Sequence, residues 1–206
     1  MPDHPSATPE LSTIEFWFDL SSNYSYLSVM RIEAAAAAHG KRVIWRPFLL
    51  GPVFKALGWA DAPFILQKEK GEYVWHDMVR LCRKYGLPWV KPSSFPRRAL
   101  LPTRVALIGC DREWGPAFCK QIMQLNFAED RDVDSVDVVE DVLNELGLPA
   151  LDLIGAAESH QNKLLLRERT ELARRKAIFG APTFFVGSEM FWGNDRLDDA
   201  LTFTPA

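Results

Sequence analysis

Short apolar runs rich in β-forming side chains flank an alanine-rich stretch near the start of the chain. Residues 14–18 predict a buried strand, residues 24–39 with Gly40 after them predict a helix, and residues 42–47 predict a second strand. A strand, a helix and a strand in succession form a βαβ unit, in which the two strands pair in parallel. We therefore expect the chain to begin with an α/β arrangement.

The middle of the chain, residues 51–177, has the patterning of helices rather than strands. Gly-Leu-Pro and Lys-Pro sequences divide it, and no repeat period is visible. Helices are predicted over residues 62–85, 96–111, 115–127, 135–145, 149–158 and 161–177.

Strand patterning returns near the end of the sequence. Residues 179–187 are mostly apolar, and a link at Ser188-Glu189 joins them to residues 190–192, which predicts a hairpin. A terminal helix is expected over residues 196–201, with Asn194 or Asp195 as its N-cap.

This order of elements predicts an α/β core interrupted by a large helical insertion. We expect residues 1–12 to be a disordered tail. Residues 13–50 and 178–206 are expected to form one domain, and residues 51–177 a helical domain inserted into it.

The charge balance narrows the range of partners. The 24 Lys and Arg residues are outnumbered by 27 Asp and Glu residues, so the basic surface typical of nucleic-acid binding is not expected. No apolar run has the length of a membrane span, and the first residues lack the apolar core of a signal peptide. These features predict a soluble, cytoplasmic protein without nucleic-acid or membrane partners.

The cysteines and histidines do not form a metal or disulfide pattern. Cys82, Cys110 and Cys119 are odd in number and contain no CxxC pair, which favours buried, inert thiols. The four histidines are far apart, and no pair has the helical spacing of metal ligands. We expect no bound metal.

Three segments carry a family resemblance. Residues 18–27, FDLSSNYSYL, resemble the active-site segment of 2-hydroxychromene-2-carboxylate isomerases and kappa-class glutathione transferases. Residues 180–186, GAPTFFV, resemble their cis-proline loop, and residues 191–197, FWGNDRL, resemble their C-terminal glutathione-binding turn. Residues 46–51 and 70–73, with Asp77, also match.

The resemblance covers residues 14 to 201 and implies a DsbA-like, thioredoxin-like fold. Its core has the order βαβ…ββα with a large all-helical insertion, which agrees with the pattern of the elements. Asn23 stands where the family commonly has proline.

Two serines occupy the positions at which redox members of this fold carry cysteines. Because Ser22 and Ser25 cannot cycle between dithiol and disulfide, the alignment excludes oxidoreductase chemistry here. The resemblance implies that Ser22, at a helix N-terminus, stabilises the thiolate of bound glutathione as the catalytic residue. An ordinary N-cap is the alternative for Ser22. Ser25 is expected to be structural, and Tyr24 and Tyr26 to be packing residues.

Further residues are implied to bind glutathione as the cofactor. The Ala181-Pro182 bond is expected to be cis and to turn the backbone of Ala181 or Thr183 toward the cysteinyl part of glutathione; a strand-initiating proline is the alternative. The segment Asn194-Asp195 is expected to bind the γ-glutamyl head group, with simple capping as the alternative.

Several cationic and aromatic side chains remain open between a site and a surface role. Lys55 and Lys70 are candidates for a carboxylate of glutathione or of the substrate, and otherwise are solvated surface charges. The remaining candidates are tryptophans that would wall an aromatic pocket and arginines that would clamp a substrate carboxylate, with core packing and an exposed basic face as the alternatives: Trp59, Trp75, Trp89, Arg97, Arg98 and Arg104.

The resemblance implies a glutathione-dependent isomerase of aromatic, naphthalene-type catabolism. Its substrate would be 2-hydroxychromene-2-carboxylate, an aromatic carboxylate, and its product trans-o-hydroxybenzylidenepyruvate. A kappa-like glutathione transferase and a non-catalytic thioredoxin-like binding module are the alternatives. A homodimer is also implied.

Overall fold

A four-stranded mixed sheet lies at the centre of the computed structural model, which describes residues 12–59 and 66–205. Its strands are β1 (Ser12–Phe18), β2 (Lys41–Pro47), β3 (Thr183–Val186) and β4 (Glu189–Trp192), in the spatial order β2-β1-β3-β4. Strands β1 and β2 pair in parallel, as predicted, and β3 pairs antiparallel with both β1 and β4. The tail expected to be disordered at residues 1–12 lies outside the described residues, except for Ser12.

Alternate side chains of β1 enter two different hydrophobic clusters. Phe16 stacks between Phe18 and Phe184, with ring centroids at 4.9 and 5.4 Å, in the larger cluster. Trp17 points to the opposite face of the sheet and packs beside Phe48 in the smaller one. Because successive side chains of a strand point to opposite faces, this continuous apolar run is buried on both sides.

The helix α1 (Asn23–Ala38) links β1 to β2 and packs on the larger cluster. Ser22 is its N-cap, and the helix ends at His39 before Gly40, whose φ of +61° suits glycine. The βαβ unit expected from the sequence is therefore present with nearly the predicted bounds.

Seven helices lie between β2 and β3 in the part of the chain that the structure describes. They are α2 (Leu50–Ala56), α3 (Lys68–Tyr85), α4 (Leu100–Gly109), α5 (Gly115–Phe127), α6 (Val136–Glu145), α7 (Ala150–Glu158) and α8 (His160–Arg175). The predicted helical block is confirmed, whereas the start of the helix predicted over residues 62–85 lies partly outside the described residues. The bounds of the inserted domain stay a prediction.

Helix α2 was not predicted, and α4 begins later than predicted. The predicted helices begin only at residue 62, although the proline of Gly51-Pro52 is compatible with the first turn of a helix. Before α4, the buried Arg97 bonds Asp130 and the carbonyl oxygen of Arg131, and these contacts hold the segment outside the helix.

The C-terminal elements correct the predicted capping. After β4, a 3₁₀ turn (Asn194–Arg196) leads into α9 (Leu197–Thr202). The N-cap of α9 is Arg196 and makes no side-chain cap bond, so the prediction of Asn194 or Asp195 as N-cap was wrong. The Asn194 side chain instead bonds α1.

Among the described residues, no helix combines the length and apolar character needed to cross a bilayer.

Candidate active site

The loop that leads into α1 is fixed by a buried carboxylate. Asp19 accepts backbone hydrogen bonds from Ser21 at 2.7 Å and from Leu50 at 2.6 Å, and so ties this loop to the start of α2. Burial raises the pKa of the Asp19 carboxyl above its ordinary value, whereas the two N–H donors act in the opposite direction. Asp19 therefore sets the backbone path just before Ser22.

The Ser22 hydroxyl joins the N-terminus of α1 to the loop before β3. Its oxygen accepts the Ser25 N–H at 3.2 Å, which is an N-cap bond. The same hydroxyl donates to the carbonyl oxygen of Ala181 at 3.2 Å, although 159 residues separate the two in sequence. Ser22 is thus an N-cap, as the alternative stated, and its hydroxyl also has a tertiary partner in Ala181.

The Ala181-Pro182 peptide bond is cis, as expected from the resemblance. The Thr183 hydroxyl is buried and donates to the Gly180 carbonyl oxygen at 2.9 Å, so this side chain holds the loop together. A Cβ on Gly180 would lie 2.2 Å from Nε1 of Trp192, so a larger residue here would force the indole to move. The Ala181 backbone is the part of this loop that faces Ser22.

The turn after β4 is fastened to the same loop. Gly193 donates its N–H to the Pro182 carbonyl oxygen at 2.9 Å and has a φ of +108°. A Cβ on Gly193 would lie 2.4 Å from Oδ1 of Asp195, so the carboxylate folds back over this glycine. Asn194 is buried in the turn, whereas Asp195 is exposed. Three segments distant in sequence therefore meet around Ser22.

Tyr24 belongs to this neighbourhood, although the sequence favoured a packing role. Its hydroxyl donates to Oδ2 of Asp77 on α3 at 2.8 Å. Burial, with the charge of Asp77, raises the pKa of the Tyr24 hydroxyl, and Asp195 lies near enough to add to this effect. The one sequence signal for the contact was Asp77, which belongs to a matching segment.

Helix α3 extends past the N-terminus of α1. Tyr24 contacts Asp77, and the Arg31 guanidinium lies 3.6 Å from the centre of the Tyr85 ring, so α1 and α3 run in the same direction. The turns of α3 before Asp77 therefore extend beyond the N-terminal end of α1, where Ser22 lies. Exposed Lys70 lies in these turns, and exposed Lys55 lies in the last turn of α2.

Most of the other candidates contact side chains of the protein itself. Arg97 is buried and makes the hydrogen bonds described above, and Arg98 pairs with Asp134 at 2.8 Å. Neither lies on a helix, contrary to the prediction, and only Arg104 is on α4. Trp75 and Trp89 stack at 6.2 Å within an aromatic group, and Trp59 packs on Phe54.

The cysteines agree largely with the prediction of buried thiols. Cys82 and Cys119 are buried, and burial raises the pKa of Cys82 to about 11. Cys110 is only partly buried, and its Sγ lies 3.9 Å from that of Cys119. These sulfur atoms lie on α5 and at the end of α4, which are not elements of the Ser22 site.

Comparison with known families agrees with this arrangement. A family model described as the DSBA-like thioredoxin domain matches residues 13–202. The chain belongs to this family. The predicted DsbA-like thioredoxin fold is thereby confirmed.

Individual relatives point to a particular branch of the family. A curated 2-hydroxychromene-2-carboxylate isomerase of Pseudomonas putida is 27% identical over 184 residues, which cover 89% of this chain and 90% of the relative. A solved isomerase of the same name has a TM-score of 0.82 at 26% identity and covers 90% of both chains. The kappa 2 glutathione transferase of Caenorhabditis elegans is 23% identical over 210 residues, covering 95% of this chain and 92% of the relative.

Proposed function

We propose that this protein is a glutathione-dependent isomerase that converts 2-hydroxychromene-2-carboxylate to trans-o-hydroxybenzylidenepyruvate in aromatic, naphthalene-type catabolism. The single observation that carries the proposal is the Ser22 hydroxyl, held between the N-terminus of α1 and the Ala181 carbonyl. Its curated relatives named as isomerases support the reaction class.

The geometry of Ser22 suits a donor that changes partner. Its bond to Ala181 is 3.2 Å long, whereas O–H···O bonds between neutral groups are usually about 2.7–2.8 Å. Exchanging this long bond for a bond to a thiolate sulfur therefore loses little, and a bond to a charged acceptor is stronger. Ser22 would act as a thiolate stabiliser and not as a nucleophile.

The other groups present fit the remaining parts of glutathione. Asp195 offers an exposed carboxylate for the ammonium of the γ-glutamyl group, and Asn194 has a buried amide nitrogen without a partner among the described residues. The Ala181 backbone, next to Pro182, offers polar groups to the cysteinyl part, with Thr183 holding the loop. Among the described residues, Lys70 and Lys55 form no ion pair. Both are candidates for binding a carboxylate of glutathione or of the substrate.

The residues of the chain have distinct tasks in the proposed reaction. Bound glutathione would supply the thiolate for a reversible addition to the conjugated double bond of the opened chromene, and Ser22 would hold that thiolate. Ser22 and the positive end of the α1 dipole would lower the pKa of the bound thiol, which is about 8.5 for an unperturbed thiol. Tyr24, fixed by Asp77, borders the space beside Ser22.

A kappa-like glutathione transferase is the second candidate, favoured by the similarity to the C. elegans enzyme. The same thiolate site serves both reactions. They differ in the fate of glutathione, which an isomerase returns and a transferase retains in its product.

We further propose a cytoplasmic homodimer, on the basis of the resemblance.

The first experiment measures glutathione binding and ionisation together. Glutathione is titrated calorimetrically into the parent chain and into Ser22→Ala, and ultraviolet difference spectra record the thiolate band. We expect both to bind glutathione and only the parent to ionise it. Failure of the parent chain to bind millimolar glutathione would eliminate both enzyme candidates and favour a binding module.

The second experiment separates isomerase from transferase. The parent chain is incubated with 2-hydroxychromene-2-carboxylate and a catalytic amount of glutathione. Product in excess of glutathione, with all free thiol recovered, supports the isomerase. Thiol consumption in proportion to product supports the transferase.

A further inference from the structure

The Asn194 amide is buried against α1 and receives two hydrogen bonds on one atom. The Ser28 hydroxyl donates to Oδ1 at 3.1 Å, and the Arg31 guanidinium donates to the same oxygen at 3.2 Å. Asn194 is only 4% exposed. Two side chains of α1 therefore hold a residue that lies more than 160 positions later in the sequence.

The donor on Arg31 decides which way the amide is turned. A guanidinium has no acceptor, so the Asn194 atom that faces it is the oxygen. The nitrogen Nδ2 consequently points away from Ser28 and Arg31, and it has no partner among the described residues. Buried polar groups are normally paired, because leaving a donor unpaired is costly. Nδ2 is thus an oriented, enclosed donor without an acceptor among the described residues.

Arg31 is itself held from several sides. Its guanidinium lies over the Tyr85 ring at 3.6 Å and lies 3.7 Å from the Asp198 carboxylate of α9. Its side chain is 18% exposed, so a long and normally mobile side chain is fixed between α3, α9 and the turn. This position makes Arg31 a rigid support for Asn194.

The turn that carries Asn194 borders the Ser22 site. Gly193 bonds the Pro182 carbonyl oxygen, and Ser22 bonds the carbonyl oxygen of the preceding residue, Ala181. The Asp195 carboxylate lies near Tyr24, two residues after Ser22. A displacement of Asn194 would therefore alter this side of the site without touching the Ser22 hydroxyl.

We propose that Ser28 and Arg31 are positioning residues, which hold the Asn194 amide as an oriented donor for the γ-glutamyl carboxylate of bound glutathione. The inference rests on the proposed glutathione site and adds a division of labour to it. Ser28, Arg31 and Asn194 govern affinity for the head group, while Ser22 governs ionisation of the thiol.

A double-mutant cycle tests whether Arg31 acts through Asn194. We expect Arg31→Met and Asn194→Ala each to weaken glutathione binding about tenfold. Asn194→Ala removes the proposed donor to the γ-glutamyl carboxylate, and Arg31→Met removes the hydrogen bond that orients this donor. In the double variant, Arg31→Met should add no further loss, since its target is already absent. Calorimetry gives the affinities, and the thiolate band at saturating glutathione should remain that of the parent.

Matched variants separate positioning from a general effect on α1. Lys120→Met breaks the other ion pair of this helix, with Glu33, and should leave glutathione affinity unchanged. Arg31→Lys should recover part of the affinity, because it keeps one cationic donor. Ser28→Ala provides an independent variant with a small side-chain change, should Arg31→Met fail to fold.

The outcomes distinguish this inference from the proposed function. Independent losses from Arg31→Met and Asn194→Ala, or unchanged affinity in Arg31→Met and Ser28→Ala, would overturn the positioning role while the glutathione site stands. A lower thiolate absorbance at saturation in Arg31→Met would also overturn the division of labour. An absence of glutathione binding by the parent chain would overturn the site itself, and with it this inference.

Discussion

Two serines of this chain make the same helix cap in different surroundings. Ser22 caps α1 and Ser159 caps α8, and each hydroxyl oxygen accepts a backbone N–H three residues later at 3.2 Å. Ser159 is exposed, whereas Ser22 is 9% exposed and also donates to Ala181. The cap bond is therefore a local property that both serines share, and the loop packed over Ser22 is what makes one of them a candidate catalytic residue.

The largest expected difference between Ser22 and Ser159 is in catalysis. Ser22→Ala should lower kcat/KM for the isomerisation about 10²–10³-fold, the usual effect of removing one donor to a developing anion. Ser159→Ala should leave kcat/KM unchanged. Steady-state kinetics with 2-hydroxychromene-2-carboxylate and glutathione measure both; equal rates in parent and Ser22→Ala would remove Ser22 from the mechanism.

The turn beside Ser22, which Ser159 lacks, should affect binding more than chemistry. Asp195→Asn removes the carboxylate proposed to meet the γ-glutamyl ammonium and should weaken glutathione binding about tenfold. The rate at saturating glutathione should change little, because the thiol is unaffected. Asp199→Asn, which loses only an exposed pair with Arg196, is the control in the same calorimetric titration. Equal affinities for Asp195→Asn and the parent would contradict the assignment.

The two caps should contribute similarly to stability. Ser159→Ala should lower the free energy of unfolding by about 1 kcal/mol, because it removes one cap bond. Ser22→Ala should lose at least as much, since it also loses the bond to Ala181. Chemical denaturation at neutral pH measures both values, and a destabilisation in Ser159→Ala alone would show that the local equivalence is wrong.

The last prediction concerns Asp19, which fixes the loop before Ser22 and has no counterpart at Ser159. Its folded pKa is raised above the ordinary value of 3.8. Its contribution to stability is therefore complete below pH 3.8 and is lost as the pH rises through the folded pKa, because the unfolded chain releases the proton first. The backbone N–H donors of Ser21 and Leu50 act against burial, which is the largest cause of the shift.

Asp19→Asn provides the measurement, since it lacks the titrating group. The difference in free energy of unfolding between the parent and Asp19→Asn should shift against the parent as the pH rises from acid. Denaturation curves at a series of pH values test the sign. A difference that moves in favour of the parent with rising pH would mean that the N–H donors of Ser21 and Leu50 outweigh burial.

The sequence by itself determined the elements whose causes are local. The aromatic run of β1 and the alanine-rich α1 followed by Gly40 were predicted because side-chain periodicity and helix ends depend on neighbouring residues. The hairpin at β3 and β4 was predicted in the same way. The absence of a cysteine pair at Ser22 and Ser25 also needed only the sequence and the family motif, and it excluded disulfide chemistry at this position.

The tertiary structure decided which polar groups meet. The late start of α4 depends on Arg97 reaching Asp130, and the missed cap of α9 depends on Asn194 turning to α1. Tyr24 joined the site only through Asp77, a contact across 53 residues. Hydrogen bonds and burial between distant segments have no local sequence signature, so the capping pattern alone does not distinguish Ser22 from Ser159, and only the family motif set Ser22 apart in the sequence. Folding does so, by placing Ala181 against one hydroxyl and leaving the other exposed.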